Sequence, residues 1–142
     1  MTARILQIWL LRLAGITEMF AFGAVVMPRS WMEAAHEWLG MGAMPSGAVV
    51  DFLTRQASYV YAMHGVSLLL LATDVRRYRP LIVFNGVSFV IAGPVFFAID
   101  FLAGMPWYWT AGDTLGVLGF GVALLVLDAV GRRDDGDADS QP

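Results

Sequence analysis

The sequence predicts an all-α integral membrane protein: a four-helix bundle with a short amphipathic surface helix in its first extracytoplasmic loop. Three features predict it. Apolar residues are gathered in four long runs, the arginines are shared unequally among the connections, and the first connection carries a helix-start signature. Hydrophobic residues make up 58% of the 142-residue chain and charged residues 15%. An average soluble domain sits near half and a quarter. The length suits one domain.

The apolar runs cover about 5–27, 52–73, 81–104 and 114–130. A spanning helix needs about 20 residues at about 1.5 Å rise each. All four runs fit, the fourth being the shortest, so the membrane domain is expected over 1–131. The first run does not read as a signal peptide. It is too long for a signal core, is interrupted by Arg12 and Glu18, and has no small-x-small cleavage site after it.

Orientation follows from the arginines, because basic residues favour cytoplasmic connections. The second connection reads Asp74-Val75-Arg76-Arg77-Tyr78-Arg79-Pro80, the tail opens with Arg132 and Arg133, and the N-terminus carries Arg4. The third connection, 105–112, has no basic residue, and the first has only Arg29 and Arg55 near its edges. Both termini are therefore expected in the cytoplasm. Trp107-Tyr108-Trp109 would lie at the outer membrane–water interface, and Trp9 and Tyr78 at the inner one.

The first connection contains Ser30, with Glu33 three residues on, which is the capping-box pattern. Gly40 is placed to end the helix. Over 31–39, Trp31, Ala34, Ala35, Trp38 and Leu39 share one face, and Glu33, His36 and Glu37 share the other. This predicts a short helix lying flat on the outer surface. The acidic tail, 132–142, has almost no apolar side chains and is expected to be disordered.

Charged residues inside a span are costly and usually face the protein interior. Glu18 and His64 fall near the midpoints of the first two spans, so a buried polar pair between them is expected. An inner layer holds Arg12, Asn85 and Asp128, and an outer layer holds Arg55, Gln56, Asp100 and Asp113. The expected structural ion pairs are Arg12 with Asp128, and Arg55 with Asp100 or Asp51. Asp51 is also a candidate cap for the second span, as is Thr110 with Asp113 for the fourth. Gly112, Gly116, Gly119 and Gly121 predict close helix packing, and Gly93-Pro94 predicts a kink in the third span.

The absence of cysteine excludes disulfides, thiolate metal sites and thiol redox chemistry. The net charge of −3 and the lack of an extended basic surface argue against nucleic acid. Two histidines, His36 and His64, are a poor set for haem. Met32 and His36, four apart on one helix, with Met27, Met41 and Met44 nearby, are the only copper candidate. Methionine is also ordinary apolar filler, so no metal, cofactor or catalytic residue is expected. The expected role is structural, accessory or small-ligand-binding, with the lipid bilayer as solvent and a homo-oligomer or membrane complex as the assembly. The alternative is a proton-coupled transporter or channel-like protein using Glu18 and His64.

Leu11-Arg12-Leu13-Ala14-Gly15, Arg77-Tyr78-Arg79-Pro80 and the segment from Asp100 to Trp109 with Gly104-Met105-Pro106 resemble the DoxX-like group and related small four-helix bacterial membrane proteins. The resemblance implies a four-helix bundle in the bacterial inner membrane. It transfers no catalytic residues.

Overall fold

A computed structural model describes residues 2–139. The described residues form α-helices and no strand: α1 (Ala3–Met19), α2 (Phe22–Val26), α3 (Arg29–Trp38), α4 (Ala48–Leu71), α5 (Arg79–Ala103) and α6 (Trp107–Asp139). Three stretches have the length and composition to cross a membrane, namely Ala3–Val26, Arg79–Ala103 and Trp107–Asp134. With 24 residues α4 is equally long, but it carries Asp51, Arg55, Gln56 and His64 and is more polar.

Large apolar side chains cover much of the surface, while several polar ones are buried beside the apolar core. Trp9, Phe20, Leu102 and Trp107 are largely exposed, the last two by 84% and 81%. Gln7, Asp100, Thr110 and Asp128 are buried. Apolar side chains outside and polar ones inside suit lipid as the surrounding medium.

Several boundaries differ from the sequence reading, each for a local reason. Phe20 and Ala21 separate α1 from α2. There the bonds tighten to the i→i+3 type, Phe20 N–H to Thr17 O and Ala21 N–H to Glu18 O, at 3.2 and 3.0 Å. Met27 is extended, as the residue before a proline prefers. The predicted capping box does not form, because α3 starts two residues early. Pro28 is its N-cap without a side-chain cap, and Glu33 instead takes the Nε of Arg29 at 2.8 Å. Gly40 does end that helix: Gly40 N–H reaches Glu37 O and Met41 N–H reaches His36 O, the Schellman pattern. Helix α4 begins at Ala48, so Asp51 lies in its first turn rather than capping it.

Helix α6 begins earlier than expected. Pro106 O accepts the N–H groups of Trp109 and Thr110, and this absorbs the Thr110 cap into the first turn. The helix also continues through Asp139, where a disordered tail was expected. No proline lies between Val130 and Asp139 to stop it, and Arg132 pairs with Asp128 one turn back. Residues 140–142 of that tail lie outside the described residues.

The chain resolves into two units, Met1–Leu11 with Leu71–Pro142, and Arg12–Leu70. In the first, α5 and α6 approach so closely that a Cβ on Gly121 would lie 2.7 Å from Gly86 O and 2.8 Å from Val90 N. Phe89 and Phe120 meet edge to face beside this crossing. Of the four glycines read from the sequence as a packing stripe, only Gly121 serves there. Gly112, Gly116 and Gly119 have open space around them. Helix α5 runs through Pro94 as one element. It ends at Gly104, whose φ of 70° belongs to the left-handed region. Gly104→Ala should therefore cost about 1 kcal/mol, read as a lower unfolding temperature in detergent.

In the second unit the backbones of α1 and α4 meet at another glycine pair. A Cβ on Gly15 would lie 2.7 Å from Gly65 O, and one on Gly65 would lie 2.6 Å from Gly15 O. Glycine permits this approach because it has no side chain to intervene.

Candidate functional site

The Gly15–Gly65 crossing fixes what lies next to it. Glu18 is one turn beyond Gly15 on α1, and His64 immediately precedes Gly65 on α4. His64 Nδ1 lies 2.6 Å from Glu18 Oε2. The two side chains are part-buried, 31% and 20% exposed respectively. A carboxylate hydrogen-bonded to an imidazole holds the ring's orientation. It can also keep a proton between two groups whose charges stabilise each other.

Arg55 stands on the same helix, more than two turns before His64. Its guanidinium donates to Val25 O, to Met27 O at 3.0 Å and to Ala24 O at 3.5 Å. These carbonyls belong to the end of α2, where the helix leaves acceptors without intrahelical partners, and a cation at a C-terminus also suits the helix dipole. Arg55 therefore closes α2 instead of taking Asp51 or the expected Asp100. Asp51 is bonded by Arg29, which also holds Glu33 and Pro45 O. The hydrogen bond to Glu33 raises the pKa of Arg29 most. Burial opposes this, and the charges of Asp51 and Glu33 reinforce it.

The copper candidates play local parts. Met32 is buried, while His36 Nδ1 is 2.8 Å from Gly42 O across the turn that follows α3. Among the described residues no group of three or more His, Cys, Asp or Glu side chains could hold a metal ion.

The first unit holds a separate polar cluster. Asp128 is 3% exposed. Its carboxylate takes Arg79 Nε at 3.0 and 3.2 Å, Arg132 Nε at 3.4 Å and Arg4 Nη1 at 3.5 Å. Arg4 also donates to Gln7 Oε1 at 3.2 Å. Asp128 thus has three basic partners that sequence reading did not assign to it. Asp128 lies level with the starts of α1 and α5, from which Arg4 and Arg79 reach it. Asn85, placed in the same layer, bonds Leu81 O one turn back at 2.9 Å.

At the far end of α5, Asp100 is buried and its Oδ2 has no hydrogen-bond partner among the described residues. Nearby, Phe97, Phe101, Met105 and Trp107 line an open groove of about 410 Å³. Sequence reading missed Arg4, Arg79, Gly15, Gly65 and Gly86. The glycines flanking Glu18 and His64 were the available signal for two of them.

No family model, no curated protein and no solved structure matches this chain.

Proposed function

We propose that the chain is a small polytopic protein of the bacterial inner membrane, with α4 as a fourth span, both ends in the cytoplasm, and a structural, accessory or small-ligand-binding role. The observation that carries the reading is the Glu18–His64 bond. It belongs to a wider pattern: the ionisable groups that make α4 polar each have a partner. His64 has Glu18, Arg55 has the carbonyls at the end of α2, and Asp51 has Arg29. Pairing of this kind lowers the cost of carrying such groups into a bilayer. The 24 residues of α4 would rise about 36 Å, enough for a hydrocarbon core of about 30 Å. The arginines at both ends and between α4 and α5 support cytoplasmic termini. The likeness to DoxX-like proteins agrees with this architecture, but no family model supports it and the role does not rest on it. Assembly as a homo-oligomer or as a subunit of a membrane complex fits the small size.

In this role Glu18 and His64 clamp α1 to α4 beside the glycine crossing. The close contact between two titratable groups also favours a second reading, proton-coupled transport. Glu18→Gln separates the two. An amide keeps the hydrogen-bonding shape and removes the charge. The clamp predicts that the variant folds and that proton flux in liposomes matches wild type at a background level. Flux in wild type that disappears in a well-folded Glu18→Gln protein would establish transport instead.

A further inference from the structure

We infer that the groove at the Asp100 end of α5 and α6 binds a primary ammonium ion carried on an apolar tail, with Asp100 and Thr110 as its principal acceptors. Asp100 is the last member of a stripe that faces α6. Gly86, Gly93 and Asp100 are buried residues of α5 that recur every seven positions, about two helical turns. A Cβ on Gly86 would lie 2.8 Å from the Leu125 side chain, and one on Gly93 would lie 3.0 Å from Leu118 Cβ. Seven residues forward on α5 therefore correspond to seven back on α6. One more step puts Asp100 opposite Ala111, beside Thr110 and Thr114.

This end of the interface holds acceptors that the described residues do not satisfy. Asp100 is 9% exposed and Thr110 8%. Asp100 Oδ2 and Thr114 Oγ1 are enclosed without a hydrogen-bond partner. Thr110 lines the groove, and no described residue bonds its hydroxyl. Asp113 is near enough to feel the charge of Asp100, so a second carboxylate stands by. Neither aspartate is ion-paired by a described residue. The sequence has no basic residue between Arg79 and Arg132, and those two lie about 30 Å away along their helices. A carboxylate only accepts, a hydroxyl has two lone pairs, and a primary ammonium brings three N–H donors. The tail has its own surface. Phe97, Phe101, Met105 and Trp107 line the groove of about 410 Å³, a size suited to a small molecule. Phe97 and Phe101 flank Asp100 on α5, and their rings stack 6.1 Å apart. Aromatic faces attract organic cations as well. An inorganic cation would leave this wall unused, and a purely apolar partner would leave Asp100 buried and unpaired. The inference rests on the first unit alone and needs neither the Glu18–His64 bond nor α4 as a span.

The test uses full-length protein in neutral detergent, titrated with phenethylamine, with its uncharged counterpart phenethyl alcohol, or with sodium chloride. Calorimetry and thermal unfolding read the binding. The amine is protonated at neutral pH and should bind wild type roughly tenfold more tightly than the alcohol, the gain expected of a hydrogen bond to a charged group. Asp100→Asn keeps the shape and removes the charge, so it should weaken the amine about tenfold and leave the alcohol unchanged. Thr110→Val removes one acceptor and should weaken the amine about threefold. Should Asp100→Asn fail to fold, Thr110→Val decides in its place. Equal binding of amine and alcohol would overturn the inference and leave an apolar groove. No binding of the amine would overturn it too, as would stabilisation by sodium alone. A folded Asp100→Asn protein, or in its place Thr110→Val, that binds the amine like wild type would have the same consequence.

Discussion

Asp128→Ala should lower the stability of the protein in detergent by roughly 3–5 kcal/mol, the range found when one partner of a buried ion pair is removed. The carboxylate is 4% exposed and is the shared partner of Arg4, Arg79 and Arg132. Without it, three guanidiniums are left beside one another, and Arg4, at 13% exposed, is too enclosed to escape to water. Asp128→Asn keeps an acceptor oxygen and the shape while removing the charge, so it should fall between the two. Arg132→Ala is the contrasting case. That side chain is 56% exposed, and an exposed pair of this kind is worth less than about 1 kcal/mol. Thermal unfolding of the three variants gives the order directly. An Asp128→Ala protein as stable as Arg132→Ala would show that the cluster does not hold the first unit together.

The second large effect is expected at Gly65. A Cβ there would meet Gly15 O at 2.6 Å and Met19 N at 3.0 Å. Both are backbone atoms, so no side chain can swing aside to make room. Gly65→Val should force α1 and α4 apart at a cost of about 3 kcal/mol, the upper end for overpacking, and break the Glu18–His64 bond as well. Gly116→Ala and Gly119→Ala provide controls. Each adds a methyl group where nothing lies within 4 Å, so the better helix propensity of alanine should leave them neutral or slightly more stable. The comparison requires only unfolding temperatures in one detergent.

These two sites mark how far the sequence could be read. The long apolar runs revealed α1, α5 and α6 because lipid-facing helices need no periodic pattern, only length. Depth counting brought Glu18 and His64 to one level because each lies near the middle of its run. The same counting left out Arg4, Arg79 and Arg132, which the structure brings to Asp128. Helix ends were harder. A capping box requires the helix to begin at the residue after Ser30, and Pro28 starts it sooner. Which glycines meet another backbone depends on how helices cross, and Gly112, Gly116 and Gly119 show that spacing alone does not decide it. Arg55 was assigned a carboxylate because carboxylates are visible in a sequence, whereas the open carbonyls at the end of α2 appear only once that helix is seen to stop at Val26.

The central claim is that α4 crosses the membrane together with the three more apolar stretches. The chain has no cysteine, so single cysteines can be placed one at a time and labelled with a membrane-impermeant maleimide in intact cells and after lysis. Cysteine in place of Ser46 or Met105 should label in intact cells, and cysteine in place of Arg76 or Arg133 only after lysis. Labelling of Ser46→Cys and Arg76→Cys from the same side of the membrane would contradict the account, because α4 would then not cross it.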